Sequence, residues 1–206
     1  MTTPPTVFLV DDDPAVLRGL SRLLRAAGWL SATFPSAAEF LDRLDPAVPG
    51  CLVLDVSMPG LDGLALQRML GETNCLLPII FLTGHGDIPT SVRAMKAGAV
   101  DFLTKPVRDD DLLNAIRLAV EKDRICRQER AGTAVLEGRL ATLTPREREV
   151  LALVVSGRLN KQVASQLGTA EKTIKVHRAR VMEKMGAGSL AELVRLAARA
   201  GVLPPP

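Results

Sequence analysis

The chain has 206 residues and a formal net charge of +3, with 47% hydrophobic and 24% charged residues. These values are typical of a globular protein with a hydrophobic core, and the length fits one large domain or two small ones. No apolar run approaches the roughly 20 residues that cross a membrane, and the amino terminus lacks the basic and apolar regions of a signal peptide. The three scattered cysteines, Cys51, Cys75 and Cys126, suit neither a disulfide framework nor a paired-cysteine zinc site. We therefore expect a cytoplasmic protein.

Charge is divided unequally along the chain. Residues 139–206 carry 12 basic and 5 acidic side chains, whereas residues 1–138 carry 14 basic and 18 acidic ones. The last segment thus has a net charge of +7 and the rest a net charge of −4. Opposite charges indicate two domains, and the basic domain is suited to a polyanion such as DNA.

Short apolar runs alternate with helical periodicity over the first 120 residues. Five strand–helix units are predicted, and they cover 7–10 with 14–28, 30–34 with 36–44, 51–55 with 64–70, 79–82 with 87–97, and 100–103 with 109–120. This alternation predicts a parallel sheet with helices on both faces. Asp13 before Pro14 predicts the cap of the first helix, and Ser36 with Glu39 predicts a capping box. Asp87 is the predicted start of the fourth helix.

Polar side chains follow four of the predicted strands. They are Asp11, Asp12, Asp55, Thr83 and Lys105. Because right-handed crossovers bring the carboxyl ends of parallel strands to one edge, we expect these side chains to meet there. Three carboxylates in one place repel one another unless a cation joins them, and ligands that are all oxygen favour Mg²⁺, with Mn²⁺ as the alternative. A carboxylate beside such an ion can attack phosphorus, with a lysine and a hydroxyl stabilising the transferred group.

The segment from Gly84 to Gly86 is similar to the start of a dinucleotide-binding fingerprint. It does not continue as one, because Pro89 stands at the position of the third glycine. We expect His85 to be an exposed loop residue rather than a catalytic base.

Four helices are predicted in the basic segment, after a linker that we expect to be helical and to fray near Gly132. Thr144, Pro145 and Glu147 predict the start of the first of these helices, and Asn160 is the predicted cap of the second. The third covers 171–185 and the fourth 190–200. Two helices joined by a short glycine turn are typical of a helix-turn-helix. The alternative is a solvated charged helix in an all-helical bundle, but the basic third helix favours DNA recognition.

Residues 5–121 resemble the receiver domain of a two-component response regulator. The matching residues are Asp11-Asp12, Asp55 before Met58-Pro59-Gly60-Leu61-Asp62-Gly63, Thr83, and Lys105-Pro106. The resemblance implies a flavodoxin-like α/β fold with strand order 2-1-3-4-5 and, usually, a cis peptide bond before Pro106. It implies that Asp55 is the phosphoacceptor and that Asp12, Asp55 and the carbonyl of Ser57 bind Mg²⁺, with Asp11 acting largely through water. It further implies a switch pair, Thr83 and Phe102, phosphoryl stabilisation by Lys105, and a dimer face of Ile88, Val92, Met95 and Phe102.

Residues 140–201 resemble the LuxR/FixJ-type DNA-binding domain. The matching stretches are 143–151, Gly157, 160–164, 167–168, 172–178 and 184–185. The resemblance implies that the groove-facing positions are Lys175, Val176 and Ala179. It assigns mainly phosphate contacts to Lys161, Thr173 and Arg178, adds Lys172 to the DNA-binding set, and makes the last helix the dimer contact on DNA.

Together these patterns predict a response regulator with a receiver over 5–121, a linker over 122–139 and a DNA-binding domain over 140–206. A sensor histidine kinase would phosphorylate it, and the homodimer would bind promoter DNA. Two alternatives remain. A phosphatase of aspartyl-phosphate type needs a second carboxylate two residues after the nucleophile, where this chain has Ser57. A receiver that acts without phosphorylation is disfavoured by the intact set of polar strand ends.

Overall fold

A computed structural model describes residues 3–73, 75, 77–84 and 88–202. The chain forms two compact units, Met1–Arg127 and Gln128–Pro206. The predicted helix start at Asp87 and the predicted loop residue His85 lie outside the described residues.

A parallel sheet forms the centre of the first unit. Its strands are β1 (Thr6–Val10), β2 (Leu30–Phe34), β3 (Gly50–Asp55), β4 (Ile79–Thr83) and β5 (Asp101–Thr104). They are ordered β2-β1-β3-β4-β5, which confirms the predicted flavodoxin-like topology. The helices between them are α1 (Pro14–Ala26), α2 (Ala37–Arg43), α3 (Gly63–Glu72) and α4 (Ile88–Lys96), and α5 (Asp109–Ala141) follows β5.

Apolar residues on both faces of the sheet hold the first unit together. Every residue of β3 is buried, as expected for a parallel strand covered by helices on both sides. One apolar cluster contains Phe8, Phe40 and Phe81, and the other contains Leu9, Leu24 and Ile80. At the start of β3 a Cβ on Gly50 would collide with the carbonyl of Thr6, so only glycine allows this close strand pairing.

The predicted helix starts are largely confirmed. The Asp13 carboxylate accepts a hydrogen bond from the N–H of Ala15 at 2.7 Å, with Pro14 in the first turn. Ser36 caps α2 through the N–H of Glu39. The expected reciprocal half of that capping box is replaced, because the Glu39 carboxylate pairs with Arg43 at 2.9 Å.

The linker is helical, as predicted, but it does not fray at Gly132. Helix α5 continues through Gly132 and Gly138 to Ala141. A glycine inside a helix costs about 1 kcal/mol relative to alanine. Burial of Leu136, which is 3% exposed, and packing of Leu140 against the core of the second unit offset that cost. The packing thus overrides the local signal for a break.

The second unit is helical. After the end of α5 it contains α6 (Pro145–Val155), α7 (Asn160–Gln166), α8 (Glu171–Met185) and α9 (Leu190–Arg199). The capping box of Thr144 and Glu147 is confirmed. The predicted cap at Asn160 is wrong, because Leu159 is the N-cap and its N–H donates to Gln162 Oε1. None of the helices in the described part of the chain is both long and apolar enough for a bilayer span.

Candidate functional site

The carboxyl ends of four strands meet at one edge of the sheet. β1 leads into Asp11, β3 ends at Asp55, β4 ends at Thr83, and Lys105 follows β5. The register pairs Asp55 with Leu82, the residue before Thr83. The backbone N–H of Lys105 donates to the carbonyl of Thr83 at 2.7 Å. The topology therefore gathers residues that are up to 94 positions apart in sequence.

Lys105 joins the two buried carboxylates at this edge. Its Nζ lies 2.6 Å from Asp11 Oδ2 and 2.7 Å from Asp55 Oδ1. The second oxygen of each carboxylate accepts a backbone hydrogen bond, from the N–H of Asp13 to Asp11 and from the N–H of Ser57 to Asp55. Asp11 and Asp55 are 3% and 5% exposed, so their position is fixed by these contacts. The peptide bond between Lys105 and Pro106 is cis, as the resemblance implied.

The electrostatics of this edge reflect two carboxylates sharing one ammonium group. Burial raises the pKa of Asp55, and the charge of Asp11 adds to the rise, while the hydrogen bonds from Lys105 and Ser57 oppose it. Burial alone would lower the pKa of Lys105, but its hydrogen bonds to Asp11 and Asp55 raise it above the ordinary value. The two carboxylates therefore favour the charged form of Lys105 beside Asp55.

The turn after β3 packs closely against the backbone of Asp55, the last residue of that strand. Asp62 caps α3 by accepting from the N–H of Ala65 at 2.7 Å, and the N–H of Gly63 donates to the carbonyl of Val56. A Cβ on Gly63 would collide with the carbonyl oxygen of Asp55. Gly63 therefore allows α3 to begin against the backbone of Asp55.

The remaining predicted site residues lie around this pair. Asp12 is exposed, and Ser57 is exposed in the turn after β3. Thr83 is buried at 2% exposure. Phe102 is partly buried, with its ring centroid 6.1 Å from that of Phe81.

The donor chemistry of this edge fits magnesium. Its side chains offer carboxylate oxygens, which suit Mg²⁺ or Mn²⁺, and a third carboxylate, Asp12, is next in sequence to Asp11. Within the residues that the structure describes, however, no group of three or more His, Cys, Asp or Glu side chains is arranged to hold a metal. The structure thus brings together Asp11 and Asp55 around Lys105, and Asp12 points to solvent.

Helix α4 presents apolar side chains to solvent. Ile88 is 78% exposed, Val92 43% and Met95 45%. Phe102, the fourth member of the predicted dimer face, instead packs partly against the apolar cluster that contains Phe81. Three of the four residues therefore form an exposed apolar surface.

Helix α8 separates a buried apolar side from an exposed basic one. Ile174, Val181 and Met185 are buried and form the core-facing side of this helix. The predicted DNA-binding positions that are exposed are Lys161 on α7 and Lys172, Thr173, Lys175, Val176 and Ala179 on α8. Arg178 is partly buried and donates to Asn160 Oδ1 at 3.2 Å. Lys175 lies 3.4 Å from Glu171, one turn earlier.

Sequence reasoning did not single out Arg158. It lines an open depression in the protein surface, with a volume of about 520 Å³, together with Lys161, Gln162, Ser165 and Gln166. A basic residue in the turn before α7 was the available signal. Arg158 therefore joins the candidate anion-binding residues of this unit.

Two known protein families match the chain, one in each of its two compact units. Residues 7–117 match the response regulator receiver domain, and residues 141–197 match the bacterial regulatory proteins of the luxR family. The chain belongs to the response regulators of the LuxR/FixJ type. It is a transcriptional regulator controlled by phosphorylation.

Individual relatives extend over nearly the whole chain. Nodulation protein W of Bradyrhizobium diazoefficiens is 50% identical over 201 residues, which cover 98% of this chain and 88% of that protein. The transcriptional regulatory protein FixJ of the same organism is 44% identical and covers 98% of this chain and 99% of that protein. The structure of the response regulator StyR has a TM-score of 0.88 at 48% identity and covers 96% of this chain and all of that chain.

Proposed function

We propose that Asp55 accepts a phosphoryl group from a sensor histidine kinase and that this modification controls DNA binding through α8. The observation that carries the proposal is the contact of Lys105 with both Asp11 and Asp55. This contact supports the phosphoacceptor role of Asp55, because it places beside a buried carboxylate the positive charge that an incoming phosphoryl group requires.

Asp55 rather than Asp11 is the proposed nucleophile. Asp55 ends the fully buried strand β3 at the centre of the sheet, and the exposed turn of Ser57 follows it, so a donor has access from that side. Lys105 stabilises the phosphoryl oxygens, and Thr83 donates its hydroxyl hydrogen to one of them.

Asp12, Asp55 and the carbonyl of Ser57 are the proposed ligands of a magnesium ion, with Asp11 acting largely through water, and manganese can substitute for magnesium. When bound, the ion would neutralise charge on the phosphoryl group during transfer. Asp11 and Asp55 already lie on either side of one ammonium group, and Asp12 supplies the exposed third carboxylate.

Phosphorylation is proposed to shift the receiver between two arrangements through Thr83 and Phe102. The exposed apolar residues of α4, together with Phe102, would then pair two chains. Ile88, Val92 and Met95 support this proposal because a second copy would remove them from water.

DNA binding is proposed for the exposed basic side of α7 and α8. Lys175, Val176 and Ala179 would face the major groove, and Lys161, Lys172, Thr173 and Arg178 would mainly contact phosphates. The net charge of +7 on residues 139–206 supports binding to a polyanion. A DNA-binding role also supports the proposal that the chain acts in the cytoplasm.

The chain is proposed to regulate rather than catalyse. Ser57 stands where a phosphatase of aspartyl-phosphate type would need its second carboxylate. We further propose that the receiver covers 5–121, the linker 122–139 and the DNA-binding domain 140–206.

Incubation with acetyl phosphate and Mg²⁺ tests the acceptor. We expect the wild-type chain to gain one phosphoryl group by intact-protein mass spectrometry and Asp55→Asn to gain none. Asp110→Asn removes an exposed carboxylate on α5 and is expected to behave like wild type. Undiminished incorporation in Asp55→Asn would overturn the assignment.

A further inference from the structure

The carboxyl-terminal end of α8 is held by a residue from α5. Arg139 Nη1 donates to the backbone carbonyl of Met185, the last residue of α8, at 2.8 Å. The last carbonyls of a helix have no partner within the helix, and a cation there is favoured by the helix dipole. Arg139, which lies outside α8, therefore supplies a hydrogen-bond donor to its last carbonyl and a positive charge at the negative end of its dipole.

The fit between Arg139 and the residue after α8 is close. Gly186 has φ +66°, a conformation that favours glycine. A Cβ at this position would lie 2.8 Å from Arg139 Nη1 and 3.0 Å from its Cζ. The backbone conformation thus favours glycine here, and a methyl group at this position would force the guanidinium group of Arg139 to move.

A second contact fixes the same end of α8. Lys184 Nζ donates to the carbonyl of Thr142 at 3.0 Å and to Glu147 Oε2 at 2.7 Å. Glu147 is 2% exposed and belongs to the capping box of α6. The chain just after α5 and the start of α6 are therefore joined to α8 by polar contacts.

We infer that Arg139 is a positioning residue for the recognition helix α8. This inference rests on the proposed function of α8. Arg139 precedes the residues 141–197 that match the luxR family, so it lies outside the part of the chain to which DNA recognition is assigned. It acts through Met185 and Gly186, by fixing the axial position of a helix whose other residues read DNA.

Positioning affects two kinds of DNA binding differently. Binding to any sequence comes mainly from the attraction of basic side chains to phosphates, which tolerates a small shift of a helix. Reading of base edges requires side chains to be held within about 0.5 Å of their working geometry. Loss of the Arg139 contact should therefore weaken specific binding more than nonspecific binding.

The test uses the full-length chain treated with acetyl phosphate and Mg²⁺. One probe is a duplex that the wild-type chain has selected from a random-sequence pool, and the other is a mixed-sequence duplex of the same length. We expect Arg139→Ala to lose about tenfold in affinity for the selected duplex, the effect of losing one well-placed contact to a base, and about twofold or less for the mixed duplex. Arg139→Lys keeps a charge and a donor, and it should restore most of the specific affinity.

Gly186→Ala provides a second variant that keeps every charge. Its methyl group would displace the guanidinium, so it should also reduce specific affinity, and its effect should be smaller when Arg139→Ala is already present. Circular dichroism at the assay temperature and stoichiometric titration establish that equal amounts of folded protein are compared.

Wild-type affinity of Arg139→Ala for the selected duplex would overturn the inference, as would an equal loss on both duplexes or the same loss in Arg139→Lys. Additive effects of the two substitutions would also overturn it. Failure of the wild-type chain to select any sequence is a separate result, and it would overturn the proposed DNA-binding function itself.

Discussion

Asp123 and Arg127, one turn apart on α5, form an ion pair of 2.8 Å in which the carboxylate is almost completely buried. Asp123 Oδ2 also accepts from the N–H of Gly50 at 2.9 Å. Arg127 donates to the carbonyls of Pro46, Ala47 and Val48. The pair thus ties α5, beyond the predicted receiver boundary at 121, to the segment that leads into β3.

This relationship predicts a large effect of Asp123→Ala on stability. The change leaves the buried Gly50 N–H without an acceptor and removes the carboxylate partner of Arg127, whose contacts with three carbonyls remain. We expect the free energy of unfolding of the first unit to fall by about 2 kcal/mol. Urea unfolding measures it. Arg124→Ala breaks the exposed pair with Glu121 on the same helix and should cost much less stability, because water and salt screen an exposed ion pair. Equal effects of the two changes would contradict the prediction.

Lys105 should be coupled energetically to Asp55. Lys105→Met removes the ammonium group that contacts two buried carboxylates. We expect the free energy of unfolding of the first unit to fall by about 3 kcal/mol at neutral pH. Part of this loss should disappear in the Asp55→Asn background, because one of the repelling charges is then absent. A double-mutant cycle by urea unfolding gives the coupling, and additive effects would show that the contact has no energetic role.

The stability of the second unit should fall in acid through Glu147. The hydrogen bonds from Lys184 and from the N–H of Thr144 lower the pKa of Glu147 from 4.5 to about 2. A carboxyl whose pKa is lower in the folded state stabilises that state fully above its unfolded pKa. The stabilisation is lost as the pH falls from 4.5 through about 2. Unfolding as a function of pH should show a smaller slope for Glu147→Gln than for wild type in this window, and an unchanged slope would refute the assignment.

Lys161→Ala should lower the salt dependence of DNA binding, because Lys161 is proposed to contact a phosphate. The slope of log affinity against log salt concentration should decrease by about 0.9, the value for one phosphate contact. Lys122→Ala removes an exposed lysine charge from α5 and should leave the slope unchanged. The same slope for wild type and Lys161→Ala would count against the phosphate contact.

The apolar side of α4 should be required for pairing of phosphorylated chains. Val92→Glu places a charge among exposed apolar residues and is expected to keep the chain monomeric in the presence of acetyl phosphate, as measured by analytical ultracentrifugation. Met69→Glu changes a comparably exposed residue, 41% against 43%, on α3 and should still permit dimers. Dimers of Val92→Glu would exclude this surface as the contact.

Much of the fold could be predicted because its signals are local. The apolar run before Asp55 predicts a buried strand, Asp13 before Pro14 predicts a helix start, and a short glycine turn predicts the junction of two helices. Each of these signals depends on residues a few positions apart. The convergence of Asp11, Asp55 and Lys105 could also be predicted, because right-handed crossovers leave one edge for the strand ends.

Contacts between distant segments could not be predicted in this way. The pairing of Lys105 with Asp11 and Asp55, the passage of α5 through Gly132 and the packing of Arg139 against Gly186 each depend on which side chains meet after folding. Pattern and spacing are properties of neighbouring residues, whereas the partner of a buried charge is chosen by three-dimensional packing. For that reason local patterns in the sequence were sufficient for the parallel sheet and its acidic edge, and the strand order came from the resemblance to receiver domains. Only the tertiary structure decided how the charges are paired and what holds the end of the recognition helix.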